Sequence, residues 1–316
     1  MRTSNAVDAQ PTVSVIIPHY RDLEALAVCL ETLRRQSYPA SRVEIIVADN
    51  ASPEGETVIA RAIGDGPRLV IVSERGAGPA RNGGAAVAMG DVFAFIDSDC
   101  QADTDWLAEG VTALEDFDFI GGRVRVLVDD PRKMSPAEAF EKVFAFDFET
   151  YITRQGFAGS GNLFCPRPVF EAVGGFLAGV SEDVEWSHRA RARGFRLGYA
   201  PRAVVGHPAR KTWSDLREKW RKTNLETYGL IRRRGGGRLR WLMRNFVVPL
   251  SAVAHTPRVL FSRELNTRGQ RLSALAMLYW LRCWRLADAM RLTFAGERVP
   301  RGSEARTADT PASQML

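Results

Sequence analysis

Asp97-Ser98-Asp99 places two carboxylates either side of one residue, directly after the apolar run 92–96 (VFAFI). Such a pair at a strand end can grip a divalent cation; Mg2+ and Mn2+ favour oxygen ligands and leave positions open for phosphate. The same tripeptide in isolation is an ordinary solvated acidic turn, so its place after a strand gives it weight. Asp49-Asn50-Ala51-Ser52 repeats the arrangement after 43–48 (VEIIVA). A carboxylate there can accept from a base ring N–H or a ribose hydroxyl, or the segment is a plain turn. Glu182-Asp183 opens a helix, where the dipole and free N–H groups favour an ionised carboxylate. Either residue is a simple N-cap or a general base toward an acceptor hydroxyl. His207, after a short strand and before Pro208, is a third metal ligand or a structural histidine.

The glycine-rich segment 76–90 (GAGPARNGGAAVAMG) lets backbone approach a ligand closely, and Arg81 within it suits a phosphate or a base. Gly76-x-Gly78 starts like a dinucleotide fingerprint, but Arg81 stands at the sixth position where a glycine belongs, so a nicotinamide cofactor is not expected.

The elements that must position these residues alternate between strand and helix. The β-branched run 12–18 (TVSVIIP) suits a strand buried in a parallel sheet. Leu23, Leu26, Leu30 and Leu33 mark an amphipathic helix over 22–36, with Asp22 placed to cap it. Strands are expected at 43–48, 69–73 and 92–96, with helices at 54–63 and after the glycine-rich loop. Alternation of this kind gives βαβ units and an open α/β sheet, whose ligands bind at the carboxyl ends of the strands. Tyr20, Asp49, Asn50, Asp97 and Asp99 all fall there. Beyond residue 100 the pattern predicts a strand at 120–128, a helix from the capping box Ser135-Pro136-Ala137-Glu138 to about residue 154, short helices at 168–173 and 183–193, and a strand at 203–206.

In that order, VSVIIPHY, DNAS, GPARNGGAAVAMGDVFAFIDSD, GSGNLF, GGF and SEDVEW resemble glycosyltransferase family 2 over residues 12–207. The resemblance implies a GT-A-type, Rossmann-like open mixed sheet flanked by helices. The implied reaction is inverting transfer of one sugar from a nucleoside diphosphate sugar, most often a UDP-sugar in this family, to a hydroxyl, with Mn2+ or Mg2+. It implies that Pro18 and Tyr20 sit against the nucleobase, that Asp49 holds its ring N–H, and that Arg81 lines the nucleotide pocket. Asp97 would meet ribose or metal, and Asp99 would ligate the metal, with His207 as the further candidate. Asp183 would be the catalytic base with Glu182 beside it, and Gly161, Asn162 and Trp186 would line the acceptor side. His19, Arg21 and Ala51 depart from the family pattern, Ala51 standing where a glycine is usual. The Gln-x-x-Arg-Trp signature of processive synthases is absent, which favours addition of a single sugar.

Charge divides the chain. Residues 1–209 hold 21 Lys/Arg against 29 Asp/Glu, whereas residues 210–301 hold 21 against 6. The expected organisation is a disordered start (1–11), a catalytic domain (12–209, with a nucleotide-sugar half to residue 100), a basic amphipathic helical extension (210–295) and a disordered tail (296–316). Trp241, Phe246, Phe261, Tyr279, Trp280 and Trp284 among the arginines suit helices lying on an anionic membrane, or aromatics completing a core. The start lacks a signal-peptide pattern, and no apolar run approaches the ~20 residues of a membrane span. Four scattered cysteines suggest neither zinc cluster nor disulfide framework. A cytoplasmic enzyme of cell-surface glycan or glycolipid synthesis, peripheral on the inner face of the membrane, fits these features, with a glycan or lipid-linked acceptor. The competing readings are a sugar transferase acting on polyprenyl phosphate and a non-catalytic protein binding membrane or nucleic acid on a decayed transferase fold. A nucleic-acid partner is not expected, because no recognisable nucleic-acid module is present.

Overall fold

In the computed structural model, which describes residues 10–233 and 237–294, the run of β-branched residues becomes β1 (Val13–His19), buried at every position but Pro18. α1 (Leu23–Arg34) follows. Asp22 caps it by accepting from the Ala25 N–H at 3.0 Å, and Leu26, Leu30 and Leu33 face the core. β2 (Val43–Asp49), α2 (Glu56–Ile63), β3 (Arg68–Ile71), α3 (Ala77–Val87) and β4 (Val92–Ile96) continue the alternation. These four strands run parallel in the order β3-β2-β1-β4, so their carboxyl ends share one edge. The glycine-rich segment lies mostly inside α3 rather than in a ligand loop. A Cβ at Gly84 would fall 2.6 Å from Ile16 Cγ2, so the glycine lets α3 lie directly on β1.

The second half extends the sheet with β5 (Gln101–Ala102), α4 (Trp106–Ala113), β6 (Phe119–Leu127), α5 (Pro136–Phe144), β7 (Asn162–Pro166), α6 (Arg167–Val173), α7 (Glu182–Ala192) and β8 (Leu197–Pro208). β7 is antiparallel to both β4 and β6, giving one mixed eight-stranded sheet, β3-β2-β1-β4-β7-β6-β8-β5. The helix expected as far as residue 154 ends at Phe144. Phe146 takes a left-handed φ of 54°, Asp147 caps a single turn at Phe148–Thr150, and a wide turn runs from Tyr151 to Gln155. This break lays the Phe146 ring over the His207 imidazole at 4.4 Å. β8 is longer than the expected 203–206. Its register against β6 shifts between Gly122 and Arg123, where the strand bulges around Pro201 and Arg202, and that interruption hides its period.

Three long helices follow: α8 (Trp213–Arg233), α9 (Arg238–Leu260) and α10 (Arg268–Phe294). Leu216, Ala252, Val259, Leu278 and Leu281 pack with Phe140 of α5 into a second core, and Tyr228, Trp241 and Leu292 into a third. The C-terminal aromatics divide. Trp241 is buried and donates to the Ala289 carbonyl, and Trp284 packs on the second core, whereas Phe246, Phe261, Tyr279 and Trp280 are exposed. Among the described residues no helix is long and apolar enough to cross a membrane. Of the disorder expected for residues 1–11 and 296–316, residues 1–9 and 296–316 lie outside the described residues.

Candidate active site

A cavity of about 670 Å³ opens at the carboxyl edge of the parallel strands. Pro18, Tyr20, Asp97 and Asp99 line one side, and Gly161, Glu182, Asp183 and His207 close it from the second half. The pairing of β5 with Gly206 and Val205 of β8 brings His207 to the acidic pair, with its Nε2 3.2 Å from Asp99 Oδ2. His207 Nδ1 lies 2.7 Å from the Pro208 carbonyl and donates to it, and in the charged ring Nε2 donates to Asp99. Burial raises the Asp99 carboxyl, but the hydrogen bond and charge of His207 outweigh it and hold the group below its ordinary range. Burial works against the charged imidazole, yet Asp99 raises His207 above its usual value.

Ligand atoms of Asp97, Asp99 and Cys100 lie within 4.8 Å of one another. Burial, and then the charges of Asp97 and Asp99, push the Cys100 thiol well up, so it stays protonated and offers no thiolate. The usable donors of that cluster are the two carboxylates, with His207 Nε2 beside Asp99, and carboxylate oxygens suit Mn2+ or Mg2+ better than a thiophilic ion. Gly161 belongs to this wall because a Cβ there would fall 2.5 Å from Asp97 Oδ2.

Arg81 ties the two halves together. Its buried guanidinium donates to Asp97 at 2.5 Å and to Glu182 at 3.1 Å, spanning from α3 to the start of α7. Both contacts are charge-assisted, and they fix the end of α7 that carries Asp183. Asp183 is half-buried. Burial, reinforced by the neighbouring Glu182 charge, pushes its carboxyl up to about 6, against a bond from the Val184 N–H at 2.8 Å. A carboxylate with that affinity is ionised at neutral pH and still a competent proton acceptor.

Three residues sit differently from the sequence expectation. Asp49 is buried behind His19: its carboxylate accepts from His19 Nδ1 at 2.8 Å and from the Ser52 hydroxyl and N–H, so its oxygens are already engaged. Asn162 is fully buried, accepting from Trp106 Nε1 and donating to the carbonyls of Arg123 and Ala203; it pins the β8 bulge and faces no acceptor. Trp186 is fully buried against Phe119, Phe170 and Phe176 with Nε1 on the Gly174 carbonyl, which makes it core.

Sequence reasoning missed the far end of the cavity. Phe144, Phe146, Tyr151 and Trp220 line it with Arg210 and Lys219. Glu141, almost wholly buried, accepts from Arg210 and Lys219 at 3.0 Å each. Only the capping box of α5 and the basic composition after residue 209 hinted at these residues, and neither signal places them at a cavity.

The sequence matches the family described as Glycosyl transferase family 2 over residues 14–173. It is 31% identical over 303 residues to glycosyltransferase AglE of Haloferax volcanii, covering 90% of this chain and 96% of that protein. It is 34% identical over 92 residues to a validoxylamine A glucosyltransferase of Streptomyces hygroscopicus subsp. jinggangensis, 28% of this chain and 22% of that one. Among solved structures, a mannosyltransferase from Pyrobaculum calidifontis in complex with GDP-Man and Mn2+ has the same fold, with TM-score 0.60, 18% identity, and coverage of 92% of this chain and 89% of that chain.

Proposed function

The chain belongs to glycosyl transferase family 2 and has the GT-A fold of a glycosyltransferase; on that premise we propose that it moves a single sugar from a nucleoside diphosphate sugar to an acceptor hydroxyl, with inversion at the anomeric carbon. The observation that carries this reading is the meeting of Asp97, Asp99 and His207 with Asp183 in one cavity, braced by Arg81. The GDP-Man held by the Pyrobaculum enzyme supports a nucleotide sugar as donor.

Pro18 and Tyr20 form the wall on which a base would lie, and Tyr20 is held under the Arg21 guanidinium at 4.9 Å. Asp97, Asp99 and His207 Nε2 would hold a divalent cation, which when bound offsets the charge that develops on the departing diphosphate. Asp183 takes the proton of the acceptor hydroxyl as its oxygen attacks the anomeric carbon. The bond to the diphosphate breaks on the opposite side, and no covalent sugar–enzyme intermediate is needed. Arg81 is shared between Asp97 and Glu182, which leaves the Asp183 carboxylate to act as the base. The acceptor enters from the aromatic end at Phe146, Tyr151 and Trp220.

The exposed apolar side chains of α9 and α10, set among arginines, make that face a surface for an anionic membrane, with the catalytic cavity presented to acceptors held there.

Melting of the purified protein against a panel of nucleoside diphosphates, with and without Mn2+, tests the donor site. A metal-dependent rise with one base, lost in Asp99→Ala, is expected and identifies the base. Absence of any rise across the panel would overturn the reading.

A further inference from the structure

Behind the Trp220 side chain, which lines the cavity, stand arginines of α9 and α10. The Arg285 guanidinium lies 4.1 Å from the centroid of the Trp220 ring, on the side chain that also lines the cavity. Arg282 stands one turn away on α10, and Arg244 of α9 is close enough for its charge to act on Arg285. The Nε atoms of Arg282 and Arg285 and the indole Nε1 of Trp220 are buried, and among the described residues none has a hydrogen-bond partner.

No carboxylate of the described residues pairs with these three arginines. Glu141 is divided between Arg210 and Lys219, and Asp288, one turn beyond Arg285, is taken by Asn224 and by Arg291. Burial, and then the positive charges of Arg282 and Arg244, bring the Arg285 guanidinium down to about 9. A partly buried guanidinium lacking a counter-charge is disfavoured in the fold until an anion meets it. Arg282 and Arg285, both partly buried, with the unsatisfied Trp220 indole donor beside them and the exposed Arg244 nearby on α9, form a site completed by an anion. Guanidinium forks match the paired oxygens of a phosphoryl group better than any other biological anion except a carboxylate.

We propose that Arg244, Arg282 and Arg285, with Trp220 Nε1, bind a phosphoryl group carried by the acceptor, and that this group anchors the acceptor while its sugar hydroxyl reaches Asp183. The inference rests on the sugar-transfer reading of the cavity and names the class of its second substrate: a phosphorylated glycan, free or linked to a lipid. The phosphoryl group is a handle here, not the nucleophile. No bond to it forms or breaks.

Calorimetric titration of the full chain tests this, with EDTA present and nucleotide absent so that the acidic pair holds no metal–phosphate complex. The probes are decyl phosphate below its micelle concentration, inorganic phosphate, and decyl maltoside as the uncharged control. Decyl phosphate is expected to bind and decyl maltoside not to. Binding should weaken at least tenfold in Arg285→Gln and Arg282→Gln, and severalfold in Arg244→Gln, whose exposed side chain can change without disturbing the fold. Competition by inorganic phosphate assigns the site to soluble phosphorylated acceptors, and failure to compete assigns it to lipid-linked ones. The Mn2+–nucleotide melting shift should be the same in all three variants and the parent, which separates failure here from failure of the donor reading. No decyl phosphate binding by the parent, equal binding by the variants, or equal binding of decyl maltoside overturns the proposal.

Discussion

At pH 8 the Asp183 carboxylate is ionised within a wall that disfavours its charge, because burial and the adjacent Glu182 push its affinity for a proton up to about 6. The same shift sets its chemistry and its cost. As a base it is lost by protonation, so transfer at saturating donor should fall about tenfold per pH unit below about 6, and a flat profile from pH 5 to 7 would remove Asp183 from the role. Asp183→Asn should abolish transfer while leaving the nucleotide melting shift intact. For stability, the folded value lies above the ordinary 3.8, so the folded state holds the proton more tightly than the unfolded one. The penalty is therefore full above pH 6 and gone below about pH 4. It is at most about 3 kcal/mol for a two-unit shift, less for the water the cavity admits. The Asn variant should melt a few degrees above the parent at pH 8 and together with it at pH 4. Asp97, Asp99 and Asp183 were legible in the sequence because each follows a strand or opens a helix, and His207 because it ends the apolar run 203–206 that belongs to β8. The partners of Asn162 were not, since they are Trp106, Arg123 and Ala203, brought together only by the sheet.

Elements place these residues through a few irregular joints. The turn after β2 carries Ala51 at φ 53°, the left-handed region where the family pattern has glycine. An L residue pays about 1–2 kcal/mol there, and glycine's extra unfolded-state freedom returns about 0.4–1. Ala51→Gly should thus raise stability by about 0.5–1 kcal/mol, read as a higher urea midpoint at unchanged slope; a lowered midpoint would mean the turn is not strained. The β8 bulge is the second joint. Asn162→Ala strands the Trp106 indole N–H and two carbonyls and should destabilise by about 3 kcal/mol or more, with the acceptor KM of the folded fraction unchanged. A raised KM at unaltered stability would return Asn162 to the acceptor site. The parallel half of the sheet followed from its buried apolar runs. The break of α5 and the length of β8 did not, because Phe146 and the bulge answer to contacts with His207 and with β6 that no local period records.

For the molecule as a whole, composition showed where the positive charge lies but not which way the apolar side chains of the extension face. Trp241 and Trp284 go inward, while α9 turns Leu239, Met243, Phe246, Leu250 and Val253 to solvent at spacings of three and four, 55–71% exposed. α10, packed against α9, adds Leu272, Trp280 and Phe294, each more than 60% exposed. An outward apolar stripe on a helix that already buries its other face has no role in the monomer's own core. Its setting in a segment with 21 Lys/Arg against 6 Asp/Glu favours an anionic lipid surface over a second copy of the same cationic face, which would repel it. The full chain should therefore float with vesicles containing anionic phospholipid, less at high salt, and little with neutral vesicles. The double substitution Phe246→Glu, Leu250→Glu should leave it unbound while its Mn2+–nucleotide melting shift persists. Parent protein that stays behind at low salt, or that forms a dimer which the double substitution dissolves, would give the stripe to another partner. Flotation would instead join the two ends of the molecule: a phosphorylated acceptor anchored at the membrane would reach Arg282 and Arg285 first, pass Trp220, and present its hydroxyl to Asp183 opposite a donor drawn from water.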